Sequence, residues 1–172
     1  MKTLLSADAI QQSVASLAAQ IEKDYEGQPL TIVGVLTGSL MILADLIRHI
    51  DMPLRVGLIQ ASSYRGRATE SDSLQIGARM LTDLAGRHVL LVDDIFDTGR
   101  TLSAVLEELG HENVASLRTA VFLWKEGRQV VDILPDYHCF KIPNVFVVGY
   151  DLDYDDEFRN LPFVAELEES DR

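Results

Sequence analysis

Residues 89–102 read VLLVDDIFDTGRTL. Val89 through Val92 have the make-up of a strand buried on both faces, and TLSAVLEELG, ending at Gly110, that of a helix. Between them stand Asp93, Asp94 and Asp97, then Thr98-Gly99-Arg100-Thr101. A buried carboxylate without partners is costly, so an acid pair closing a buried strand calls for hydroxyls, a cation or water in a cleft. Small residues ahead of a helix let backbone N–H groups converge, and the helix N-terminus adds partial positive charge, which together make a phosphate cradle. A ligand with both a phosphate and a diol, accompanied by Mg²⁺, satisfies both halves, and a ribose 5-phosphate unit is such a ligand. The plainer alternative has Asp97 capping the helix and the acid pair facing solvent. It leaves unexplained why the pair ends an apolar run.

The rest of the chain alternates in the same way. Ile10, Val14, Leu17, Ala18 and Ile21 have helical spacing behind Ser6, a plausible N-cap. LTIVGVL (30–36) reads as a buried strand that breaks at Thr37-Gly38-Ser39, and LMILADLIRHI as a largely buried helix. LRVGLIQASSY (54–64) is the next strand, RGRATESDS (65–73) a polar loop, and LQIGARM a short strand. NVASLRTAVFLW and NVFVVGY read as further buried strands, and Gly110 as the left-handed residue closing the helix before them. Near-continuous apolar strands alternating with helices define an α/β fold: a central, mostly parallel sheet flanked by helices. Ligands of such sheets sit beyond the carboxyl ends of the strands. There lie Thr37 to Ser39, Ser62 to Tyr64, Asp93 to Thr101, Lys125, and Gly149 to Asp153.

At 172 residues the chain is expected to form one domain, with 47% hydrophobic residues to fill its core. A net charge of −12 opposes nonspecific nucleic-acid binding while leaving room for a local anion site. The single Cys139 cannot form an internal disulfide and fits a reducing compartment. The N-terminal apolar run is too short for a signal peptide and no segment approaches a membrane span, so no membrane partner and a cytoplasmic location are expected. His49, His88, His111 and His138 lack metal-ligand spacing.

VLLVDDIFDTGRTL resembles the signature of type I phosphoribosyltransferases, which bind 5-phosphoribosyl 1-pyrophosphate (PRPP). GVLTGSLMILADLIRHI resembles the pyrophosphate loop and following helix of the hypoxanthine-guanine phosphoribosyltransferases. ASSY resembles the start of their catalytic loop, and IPNVFVVGYDLDYDDEFRNLP their C-terminal hood. The likeness spans about residues 30–165. It implies one phosphoribosyltransferase domain over 1–172, its hood formed mainly by about 125–165 with the N-terminal segment. It also implies purine salvage: transfer of the phosphoribosyl group to hypoxanthine or guanine, giving IMP or GMP and pyrophosphate, with Mg²⁺ as cofactor and a homodimer or homotetramer as the assembly.

The same resemblance assigns roles by position. Asp93 and Asp94 would hold the ribose hydroxyls and the metal's environment. Asp97 would act as the base near purine N7, with Ser63 and Tyr64 opening a catalytic loop that closes over the site. Thr98, Gly99, Arg100 and Thr101 would bind the 5′-phosphate, and Thr37, Gly38 and Arg159 the pyrophosphate. Lys125 would donate to the purine 6-oxo group, Phe146 would stack on the ring and Val147 would meet its edge through the backbone. Asp153 belongs to the base pocket and would ligate a second Mg²⁺. Leu36–Thr37 is where the family has a non-proline cis peptide. The chain departs from the family at Asp93, more often Glu, at Thr37, often basic, at Arg100, and at Trp124.

Two rivals explain less. A response-regulator receiver would use strand–Asp-Asp and VVDILPD around Asp132, but its remaining strands would run past residue 172. A non-catalytic regulator of the same fold that senses nucleotides is the other, and Asp97, Lys125 and the SSY loop favour an active enzyme over it.

Overall fold

The computed structural model describes residues 1–63 and 74–168. Six strands form the main sheet in the order β4-β3-β2-β5-β6-β7. They are β2 (Leu30–Leu36), β3 (Leu54–Ser63), β4 (Leu74–Met80), β5 (His88–Phe96), β6 (Ser116–Lys125) and β7 (Tyr137–Ile142). All neighbours run parallel except β4, which pairs antiparallel with β3 at the edge.

Period-2 alternation explains why the central strands are apolar throughout. Leu30, Ile32, Leu90, Val92, Ala120 and Phe122 face one layer, where α1 (Ala7–Asp24) brings Ile10, Val14, Leu17 and Ile21, and α2 (Leu40–His49) brings Ile42, Leu43 and Leu46. The intervening Val33, Val35, Val89, Leu91 and Val121 face Leu102, Val105 and Leu109 of α3 (Arg100–Gly110). Helices on both faces leave β2, β5 and β6 no polar side. Ser6 caps α1 as its sequence indicates, its side chain accepting from the Ala9 amide at 3.2 Å.

Three short strands form a second, antiparallel sheet, β1-β9-β8: β1 (Lys2–Leu5), β8 (Val147–Val148) and β9 (Val164–Glu166). Here several expectations give way. NVFVVGY is not a strand of the main sheet; only Val147–Val148 are extended, in the small one. The sixth main strand is YHCFKI, an edge strand with only Tyr137 and Ile142 buried, which hides its periodicity. Gly110 is the last helical residue of α3, and the left-handed residue beyond it is Asn113 at φ 54°. Residues 64–73 lie outside the described region, and with them Tyr64 and the expected loop closure; β3 reaches Ser63.

The chain between β8 and β9 turns sharply. Gly149 has φ +96°, and a Cβ there would lie 2.1 Å from the Phe163 carbonyl oxygen. Gly149→Ala therefore combines a forbidden backbone with a backbone clash, and should destabilise the fold by about 2–4 kcal/mol. A fall in the urea midpoint checks this; an unchanged midpoint contradicts it.

Candidate active site

β5 delivers its acids to the carboxyl edge of the sheet. Asp93 is 6% exposed and accepts from the Asp94 amide at 3.0 Å; Asp94 is half-buried. Burial, then the neighbouring Asp94 charge, pushes Asp93 well above the usual carboxylate range. Burial pushes Asp94 up to about 6, against a hydrogen bond from the Ile95 amide.

The burial of Asp94 sets a pH dependence. Below 3.8, the ordinary Asp value, the folded and unfolded chains both hold the Asp94 proton and the group costs nothing. Between 3.8 and about 6 the unfolded chain releases it first, so stability falls as pH rises; above that window the loss is complete. Without divalent cation or substrate, Asp94→Asn should stabilise the protein by about 1–2 kcal/mol near neutral pH, discounted for partial exposure. The gain should vanish toward about pH 4. Urea titrations at both pH values test it; an Asn variant less stable than wild type at neutral pH contradicts it.

Past Asp94 the chain turns through Asp97 and Thr98 to Gly99, the N-cap of α3 at φ 81°. Gly99 has no side chain to cap this helix, Thr98 Oγ1 accepts from the Arg100 amide at 3.5 Å, and no acid occupies the first turn, so no carboxylate of the helix itself offsets the positive end of its dipole. Gly99 is required: a Cβ there would lie 2.4 Å from Val131 Cγ2 and 2.8 Å from the Phe96 ring. The helix begins at Arg100, earlier than its apolar periodicity indicates, and Asp97 does not cap it.

A cavity of about 280 Å³ opens here, walled by Asp93, Asp94, Asp97, Thr98, Gly99 and Thr101 on one side and by Leu36, Thr37 and Gly38 on the other. The Leu36–Thr37 peptide is cis, as the resemblance implies. Gly38 presses against Asp94: a Cβ would sit 2.1 Å from Asp94 Oδ2. Asp153 and Arg159 complete the wall, paired with each other at 2.6 Å.

A second cavity of about 200 Å³ shares Asp94, Ile95, Asp97 and Asp153 with the first and adds Lys125, Phe146, Val147 and Leu152. Parallel register explains its geometry. Phe96 of β5 stands opposite Trp124 of β6, so Asp97 and Lys125 follow side by side. Lys125 is buried, its Nζ 3.6 Å from Asp97 Oδ2. Phe146, 38% exposed, meets Tyr154 edge-on at 5.6 Å. Trp124, the departure beside Lys125, packs edge-on against Phe96 at 5.9 Å and so supports the loop from behind.

Nearly every residue singled out from sequence thus lines one of the two cavities. Arg100 sits exposed at the start of α3 and lines neither. Ser63 ends β3, its side chain outside what is described, and Tyr64 lies wholly outside. Among the described residues no group of three or more His, Cys, Asp or Glu is placed to cage a metal. The oxygen donors of Asp93, Asp94 and Asp153 at the cavity wall suit a hard cation that keeps waters and phosphate oxygens as its other ligands.

Sequence reading gave two residues no role. Arg128 donates from Nε to Asp97 Oδ1 at 2.8 Å. Asp151, buried and at φ 77°, accepts from the Met41 amide at 3.3 Å, and its carbonyl accepts from Arg159 at 2.6 Å. With Tyr150 donating to Asp45 at 2.7 Å, Asp151 fastens the segment before β9 to the start of α2. Asp151 fell inside the Gly149–Asp153 stretch without a role of its own, and no local signal marks Arg128.

A family model described as the phosphoribosyl transferase domain matches residues 1–155, which gives the class. The chain is 42% identical to the hypoxanthine-guanine phosphoribosyltransferase of Streptococcus pneumoniae, over 98% of this chain and 93% of the relative. It is 40% identical to that of Staphylococcus aureus, over 96% and 93%. A crystal structure of a hypoxanthine phosphoribosyltransferase from Staphylococcus aureus superposes with a TM-score of 0.92 at 39% identity, covering 99% of this chain and 92% of that one. A point mutant of the Trypanosoma cruzi hypoxanthine phosphoribosyltransferase, in a ternary substrates complex, gives 0.92 at 35% identity, over 99% and 97%. This chain belongs to the hypoxanthine-guanine phosphoribosyltransferase family.

Proposed function

We propose that the protein transfers the 5-phosphoribosyl group of PRPP to hypoxanthine or guanine, yielding IMP or GMP and pyrophosphate in purine salvage. The observation that carries this reading is the joining of two unlike cavities at Asp97. One is a polar cradle at a helix N-terminus with no acid in its first turn; the other is a slot with a buried lysine and an aromatic wall. A phosphorylated sugar in the first would present C1′ to a purine in the second.

The amides of Thr98 through Thr101 bind the 5′-phosphate, helped by the dipole of α3. Asp93 and Asp94 accept from the ribose hydroxyls. Thr37, Gly38 and Arg159 receive the pyrophosphate, which requires Arg159 to loosen from Asp153. Phe146 and the small sheet, acting as a hood, hold the base flat, and Lys125 donates to its 6-oxo group. The purine nitrogen bonds to C1′ as the C1′–O bond to pyrophosphate breaks, while Asp97 accepts the proton at N7. Cationic charge develops on the sugar in passing, beside the carboxylates of Asp93 and Asp94. Mg²⁺ held by Asp93, Asp94 and Asp153 would neutralise and orient the leaving pyrophosphate. Most of the rate then comes from positioning and electrostatics.

Assembly as a homodimer or homotetramer belongs to this proposal on the resemblance alone, and a cytoplasmic location on the single Cys139, which fits a reducing compartment. No helix among the described residues is long and apolar enough to cross a membrane. The test is steady-state turnover with PRPP, Mg²⁺ and each of hypoxanthine, guanine, xanthine and adenine. IMP and GMP formation is expected; nucleotide binding without turnover would instead indicate a regulator.

A further inference from the structure

Asp97 has a cation at each carboxylate oxygen. Arg128 Nε donates to Oδ1 at 2.8 Å, and Lys125 Nζ stands 3.6 Å from Oδ2. The two cations differ in place. Lys125 is buried in the wall of the base cavity, whereas Arg128 is exposed and lines neither cavity. Arg128 follows Gly127, which turns the chain out of β6 at φ 73°. The segment it opens is fastened to the loop that carries Asp97. The Val130 amide donates to the Thr98 carbonyl at 2.9 Å, and Val131 packs over Gly99. Arg128, Val130 and Val131 thus grip Asp97, Thr98 and Gly99, three consecutive residues, from outside the site.

We infer that Arg128 is a positioning residue for Asp97: it holds Oδ1 from outside the cavity and so keeps Oδ2 turned toward the base. This rests on Asp97 being the group that meets purine N7. A carboxylate rotates broadly about its last torsion, and fixing one oxygen to a planar guanidinium removes that freedom. Lys125 occupies Oδ2 in the free protein. When a 6-oxopurine enters, the ammonium turns to the 6-oxo group and N7–H takes its place. Arg128 stops the carboxylate from following its lysine. It remains charged throughout, so the exchange leaves Asp97 with a cationic partner at every stage.

A double-mutant cycle separates this role from simple bracing. The rate of IMP formation in a single turnover is measured with saturating PRPP and Mg²⁺ for wild type, Arg128→Gln, Asp97→Asn and the double variant. Arg128→Gln should slow the wild-type background about 5- to 10-fold, a modest effect because the pair is exposed. Arg128→Lys should recover part of that, and KM for PRPP should stay within about twofold. In the Asp97→Asn background Arg128→Gln should cost less than about twofold, since no carboxylate is left to aim. A wild-type rate for Arg128→Gln, or the same fold loss in both backgrounds, overturns the inference while leaving Asp97 in place. A wild-type rate for Asp97→Asn overturns the reading of Asp97, and this inference with it.

Discussion

Asp97→Asn should slow IMP formation in a single turnover by about 10²–10⁴, the range typical for loss of a general base. The substitution keeps the side chain's shape and still offers Arg128 an acceptor oxygen, so the loop should hold its form. What it removes is the charge proposed to accept the N7 proton. PRPP affinity should change little, because the cradle is built from backbone amides and Asp97 stands at its boundary with the base cavity. Single-turnover rates and PRPP binding by calorimetry separate the two. A near-normal rate contradicts the base role, and lost PRPP binding would place Asp97 in the cradle instead.

Lys125→Met should change which bases are used. A 6-oxopurine presents an acceptor at position 6 and adenine presents an amine. The ammonium of Lys125 has three donors and no acceptor. With hypoxanthine or guanine this buried group should make a charge-assisted hydrogen bond, and with adenine donor would meet donor. The mismatch should cost adenine roughly 2–5 kcal/mol, or about 30-fold to several thousand-fold in kcat/KM. Methionine fills similar volume without a donor. The variant should therefore lose most of its hypoxanthine and guanine use while the gap to adenine narrows. It also strips Asp97 of its inner cation, so some loss falls on the chemical step. The check is kcat/KM for the three bases in wild type and variant. A wild-type enzyme that accepts adenine as readily as hypoxanthine would sink the assignment, as would an unchanged ratio.

The parts of this site written in local sequence were the readable ones. β5 and its loop announce themselves because an apolar period and a run of acids, hydroxyls and glycine meet within fourteen residues, 89–102. The resemblance supplied Lys125, Phe146 and Asp153, and parallel register accounts for how Lys125 reaches Asp97. Nothing local marks β7, an edge strand with a mixed burial pattern. The small sheet escapes for a different reason: its strands are 4, 2 and 3 residues long, too short for any period to show. Arg128 and Asp151 act through turns that bring distant segments together. Asp151 also holds a left-handed backbone, which sequence favours for glycine rather than aspartate. Such residues become visible only once the tertiary contacts exist.

The central claim is that the two cavities meeting at Asp97 hold one ligand, its phosphate on α3 and its base beside Lys125. A crystal structure of the protein with IMP tests it most directly. The 5′-phosphate oxygens should lie about 2.7–3.2 Å from the amides of Thr98 through Thr101, and the 6-oxo group at similar reach of Lys125 Nζ. The purine should lie against Phe146, with N7 facing Asp97. A phosphate bound away from the α3 N-terminus, or a base outside the slot between Lys125 and Phe146, would contradict the account.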